Sequence, residues 1–222
     1  MRCSISTGPR QSAFWRLGAC LAAVAWIAGW QTVPAQNPLS GVARVEEDWE
    51  LVVNDPDIND DSPQVTCVIA PLDLSSGYLA VDVNFHSQPD YSPGGVQMHV
   101  WSPNQAMLVA NLGATNPLQT ENETITWTTS MSLADATLTF AIVNGSSTTW
   151  GSFGNDSKLQ LSVAAPLTDL AGYSSEVSLD NSGVPYASNR VTSLTLKAVR
   201  WYSASGALLQ QNTTPQPVHP QN

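Results

Sequence analysis

The sequence predicts an all-β protein, a two-sheet antiparallel sandwich of jelly-roll or concanavalin A-like type. Beyond residue 40, apolar and polar residues alternate at period two, with no convincing stretch of period 3.6. The alternating segments are rich in Val, Thr, Ile and Trp, and clusters of Gly, Pro, Asn, Asp and Ser separate them. About ten such segments suit two packed sheets better than a small closed barrel.

The chain opens with Arg2, Arg10 and Arg16, no acid, and then a 14-residue apolar run from Leu17 to Trp30. Val33-Pro34-Ala35 follows, with small residues at the −3 and −1 positions of a cut after Ala35. This is the layout of a cleaved secretory signal over residues 1–35, and the run is short for a bilayer that takes about 20 apolar residues to cross. Leu17-Gly18-Ala19-Cys20 precedes the apolar run, where a lipoprotein box would follow it. The expected location is secreted, periplasmic or in the cell envelope, with no transmembrane segment in the mature chain.

Strands are predicted at Val45–Val53, Gln64–Ala70, Tyr78–His86, Val96–Trp101, Ala106–Asn111, Thr124–Met131, Thr137–Val143, Lys158–Ala164, Glu176–Leu179 and Val191–Tyr202. Each ends in turn-forming residues, as at Asp55–Pro63, Gln88–Gly95 and Asp180–Pro185. One domain is expected over residues 36–209. Residues 210–222 (QQNTTPQPVHPQN) are polar and proline-bearing with nothing to bury, which predicts a disordered tail.

Composition excludes some partners. Past the leader, five basic side chains (Arg44, Lys158, Arg190, Lys197 and Arg200) face all 18 acids, a formal charge of −13. Such a surface repels phosphate backbones, so nucleic acid is not an expected partner. Only Cys67 remains of three cysteines, which leaves no internal disulfide. Its setting, Val65-Thr66-Cys67-Val68-Ile69, suits a small buried hydrophobe.

Strand parity points to a candidate ligand face. Along Tyr78–His86, Leu79, Val81, Val83 and Phe85 face one way; Tyr78, Asp82, Asn84 and His86 face the other. Along Val96–Trp101, Gln97, His99 and Trp101 share the polar side. Direct hairpin pairing predicts Asp82 opposite Trp101, Asn84 opposite His99 and His86 opposite Gln97. The candidate site is therefore Asp82, Asn84, His86, Gln97, His99 and Trp101, with Tyr91 from the connecting loop at its rim. An aromatic ring beside amides, imidazoles and a carboxylate suits a sugar, whose C–H face stacks while its hydroxyls take directional bonds. The same alternation also produces ordinary half-solvated faces in antiparallel sheets.

Three resemblances follow from particular residues. Leu138–Gly145, leading to Trp150-Gly151, and the closing strand Ser193–Arg200 resemble the concanavalin A-like lectin and glucanase sandwiches, and secreted β-sandwich proteins of environmental bacteria; this implies a fold rather than an activity. Gln97-Met98-His99 resembles the Gln-x-His motif of alginate-lyase-like jelly rolls, which implies a catalytic face. That family's Arg-rich and Tyr/Lys-containing strands have no counterpart here, and Lys197 at most would be near to neutralise a uronate. Glu46, Asp48 and Glu50 resemble the Glu-x-Asp-x-Glu strand of laminarinase and lichenase-type glycosidases, where paired carboxylates perform retaining hydrolysis. Their bland reading is the charged, solvated side of a first, edge strand whose other side buries Val45, Trp49 and Leu51.

The run Asn54–Asp61 offers oxygen ligands at alternating positions. Asp60 stands where an EF-hand needs Gly and Thr66 where it needs Glu, so it is no EF-hand. A looser structural Ca2+ site from Asp55, Asp57, Asn59 and Asp61 is weighed against a plain Asx-rich turn. Trp150 and Phe153 read as a second aromatic platform or as a cap on the core. No other cofactor motif is present. The functional expectation is a non-enzymatic binding module for carbohydrate or another cell-surface ligand; the alternatives are a polysaccharide-acting lyase or glycoside hydrolase and an envelope structural protein.

Overall fold

The computed structural model describes residues 31–32, 40–54, 63–75, 77–85, 95–103, 105–112, 121–178 and 191–219. Its strands are β1 (Gln31–Thr32), β2 (Val42–Val53), β3 (Pro63–Ala70), β4 (Tyr78–Phe85), β5 (Val96–Ser102), β6 (Gln105–Asn111), β7 (Glu123–Ala134), β8 (Thr137–Ser147), β9 (Gly151–Phe153), β10 (Gln160–Ala164), β11 (Ser174–Ser178), β12 (Val191–Ser203), β13 (Leu208–Asn212) and β14 (Gln216–His219). Sheet I runs β1-β11-β3-β4-β5-β6; sheet II runs β10-β8-β7-β2-β12-β13, with β9 on β8 and β14 on β12. The protein is an all-β sandwich of two antiparallel sheets. β1 falls within the segment assigned to the leader and pairs with β11 at Val177 and Glu176.

Period two builds the core directly. On β2, Val45, Glu47, Trp49, Leu51 and Val53 all point inward and are at most 1% exposed. Sheet I answers with Leu79, Val81, Val83, Val96, Met98 and Val100, and sheet II adds Ile125, Met131, Phe140 and Ile142. Trp49 stacks on its cross-strand partner Trp127 at 6.2 Å between ring centroids. Where a strand is expected to begin at Lys158, Asp156 instead caps a single 3-10 turn, Ser157–Leu159, by accepting from the Lys158 amide, and β10 begins at Gln160.

Strand order corrects the reading of β2 as an edge. It lies in the middle of sheet II, paired along its length with β7 and with β12. The predicted disordered tail is corrected too: β13 pairs Val199–Tyr202, and β14 pairs Leu194–Leu196, so together they cover the outer edge of β12. A polar sequence is what such a position demands, since only Val218 turns inward and Pro217, which has no N–H, is tolerated on an outermost strand.

Removing residues 213–222 strips β14 and the packing of Val218. The expected result is a midpoint lower by about 4–8 °C, corresponding to about 2 kcal/mol; a loose tail would leave the melting curve unchanged.

Candidate functional site

β4 and β5 pair as neighbours, in a register displaced from the expected one. Tyr78 lies opposite Trp101, Ala80 opposite His99 and Asp82 opposite Gln97. The expected pairs, Asp82 with Trp101, Asn84 with His99 and His86 with Gln97, are thereby corrected by a four-residue slide. The slide keeps parity and aligns three inward pairs, Leu79/Val100, Val81/Met98 and Val83/Val96, where the expected register leaves Leu79 without a partner on β5.

The outer face of sheet I consequently carries three cross-strand rows. The first is Thr66–Asp82–Gln97–Asn111, the second Val68–Ala80–His99–Val109, and the third ends in Tyr78–Trp101. Exposure rises along them: Gln97 is 2% exposed, Asp82 5% and Trp101 38%. Thr66 Oγ1 donates to Asp82 Oδ1 at 2.6 Å, and His99 Nε2 lies 3.4 Å from Asp82 Oδ2. The carboxylate thus organises a polar floor, and the aromatics form its open margin.

Tyr78 and Trp101 stack with centroids 5.7 Å apart and planes 27° from parallel. Burial, followed by the charge of Asp82, raises the Tyr78 phenol above its usual range. Trp101 also forms part of a groove of about 230 Å3 with Pro71, Gly77, Ser102, Pro103, Gln105, Leu138 and residues 163–167. Gly77 makes this approach feasible: it sits at φ +114°, and a Cβ there would lie 3.0 Å from the Trp101 carbonyl oxygen.

Of the predicted residues, Asp82, Gln97, His99 and Trp101 are brought to one face. Asn84 lies on β4, where only its backbone is described. His86, Tyr91 and the calcium candidates Asp55, Asp57, Asn59 and Asp61 lie outside the described residues. Sequence reasoning omitted Thr66 and Tyr78 from the site. Tyr78 had the right parity but stood opposite no aromatic in the expected register, and Thr66 joins only through the β3–β4 pairing.

The Glu46/Asp48/Glu50 set occupies the outer face of sheet II, and every member has a partner. Arg200 grips Asp48 through two hydrogen bonds, 2.6 and 2.7 Å, and Thr128 Oγ1 adds a third at 2.8 Å. Tyr202 donates to Glu46, Arg44 lies 3.3 Å from Glu46, and Lys197 pairs with Glu50 at 3.0 Å. Lys197 and Arg200 are three apart, which puts them on opposite faces of a regular strand. A bulge between Leu196 and Ala198 turns both toward the acids, so Lys197 is not beside the Gln97/His99 face.

The inward face of β2 holds what the sequence reading passed over. Glu47 is 1% exposed, and its Oε2 accepts from Trp49 Nε1 at 3.0 Å. Burial pushes the carboxyl up to about 7, eased by Ser175 and Trp49. The signal was parity: Glu47 is flanked by Val45 and Trp49 in an inward series. Cys67 is buried and unbridged, its thiol pushed well up by burial and then by Glu47 and Asp82. Trp150 is half-buried and meets Phe153 edge-on at 6.1 Å, which favours the capping role.

No protein-family model and no curated protein matches the sequence. Among solved structures, scytalido-glutamic peptidase, in a complex with a peptide-based transition-state analogue, superposes at TM-score 0.43 and 12% identity, covering 85% of this chain and 87% of that one. A tetrameric galectin from the ball sponge Cinachyrella gives 0.36 and 10%, covering 83% and 98%. A SAP-like pentraxin from Limulus polyphemus gives 0.28 and 13%, covering 67% and 64%. At these scores the likeness says nothing of a shared site, and the sandwich rests on its own strand pairing.

Replacing Arg200 by Ala removes both bonds to Asp48 and is expected to cost about 1–3 kcal/mol in urea unfolding. The Asp48→Ala/Arg200→Ala double variant should lose less than the sum of the two single changes, as a coupled pair requires.

Proposed function

We propose that the protein is a secreted, non-enzymatic binding module for a neutral, carbohydrate-like or cell-surface ligand, engaged at the Tyr78–Trp101 margin of sheet I. The observation that carries this reading is the stacked pair itself: a large aromatic left 38% exposed beside a groove and on the same face as a hydrogen-bonded polar row. An exposed indole offers an apolar platform, and His99 and the groove rim supply directional groups around it. The acidic balance of the chain favours a neutral ligand over an anionic one.

The rival enzymatic reading draws less support, because the carboxylates it would use are tied to Arg44, Lys197, Arg200 and Tyr202. The Asp55/Asp57/Asn59/Asp61 set stays a proposed structural Ca2+ site, for which thermal melts in calcium and in chelator are the direct measurement.

A glycan array followed by calorimetric titration of the purified protein tests the binding reading. Trp101→Ala is expected to weaken binding by at least about tenfold while costing only about 1 kcal/mol of stability, since the ring is partly exposed and its stack is modest. Unchanged binding, or a stability loss of the 3–5 kcal/mol typical of a core aromatic, would overturn it. Release of sugar products in a parallel assay would favour an enzyme instead.

A further inference from the structure

Glu47 is a carboxyl placed where a sandwich keeps its hydrocarbon. Its neighbours across sheet II are Thr129 on β7 and Val199 on β12, and Trp49 lies two residues along its own strand. From sheet I, β11 presents Ser175, 3% exposed, and β3 presents Cys67; the turn before β11 adds Tyr173. Among the described residues, Cys67 and Tyr173 are the titratable groups that face it; burial followed by the Glu47 charge raises both, and neither group is a cation. The cations of sheet II, Arg44, Lys197 and Arg200, stand on the opposite face and pair there with Glu46, Glu50 and Asp48.

Two polar atoms in this interior are left over. Glu47 Oε1 and Ser175 Oγ are both buried with no hydrogen-bond partner, although the serine lies close enough to act on the carboxyl. Ser175 Oγ can take up Oε1 in either state, accepting Oε1–H from the neutral acid or donating to the carboxylate, while Oε2 stays on the Trp49 indole. That bond joins β2 of one sheet to β11 of the other, and the two states differ in that only the ionised one leaves a buried charge with no cation facing it. We propose that Glu47 is a proton-operated latch between the two sheets, closed when the carboxyl is neutral and strained when it ionises.

The direction follows from linkage. An acid whose folded value lies near 7, against about 4.5 when unfolded, favours the folded state fully below 4.5. That advantage is lost progressively as pH rises through about 7 and is absent above it. The sandwich therefore tightens on acidification across the range in which its surface carboxylates are still charged.

Urea unfolding of the full chain at pH 5 and pH 8 tests this, with Glu47→Gln alongside. The unfolding equilibrium constant of the native protein should rise between these pH values by roughly fifty- to a hundredfold more than that of the glutamine variant. Equal pH dependence in the two proteins overturns the latch. Should the glutamine variant fail to fold, carbon-13 NMR titration of the Glu47 carboxyl in the native protein decides: a midpoint near 7 supports the proposal and one near 4.5 overturns it. Ser175→Ala removes the partner across the interface and should move that midpoint upward; an unmoved midpoint counts against the role of β11.

Discussion

The structure depends on the alternation along β2. One strand of twelve residues lies between β7 and β12, and each of its two sides is committed to a different environment. Val45, Trp49, Leu51 and Val53 supply the floor of the core, while Arg44, Glu46, Asp48 and Glu50 supply the charged outer face. A slip of one residue would exchange these sets and bury four charges, so the register of sheet II is held far more firmly than hydrogen bonds alone would hold it.

That constraint explains the bulge in β12. A regular strand opposite β2 could bring Lys197 or Arg200 to the acids, but not both. The extra residue at Leu196–Ala198 lets one strand meet Glu50 and Asp48 in succession while Leu194, Leu196, Val199 and Trp201 remain inside. The charged ladder is consequently a feature of assembly, and the bidentate geometry of Arg200 on Asp48 gives it directional strength that exposed pairs usually lack.

The two outer faces divide the work. Sheet II spends its charges on one another. Sheet I has few charges and arranges a buried polar row beside an exposed aromatic step, so exposed aromatic surface collects at Tyr78 and Trp101. Met107 and Val109 on the neighbouring edge strand β6 are also exposed and extend the apolar character of that margin. Glu47 belongs to neither face; it places a titratable group where the two sheets meet.

The sequence by itself determined the fold class, most of the strands and the side each residue takes, because side-chain direction in a strand depends only on parity. Asp82, Gln97, His99 and Trp101 could be grouped on that ground alone. Which strand lies beside which, and at what offset, was decided by tertiary structure, because long-range pairing reflects the best mutual burial of several strands at once. That is why Trp101 meets Tyr78 rather than Asp82, why β2 is central rather than at an edge, and why a polar, proline-bearing C-terminal segment becomes two strands once β12 offers it an open edge. The burial of Glu47 was legible in its parity, but the company it keeps, Ser175, Cys67 and Tyr173 from the opposite side of the core, exists only after the two sheets have packed.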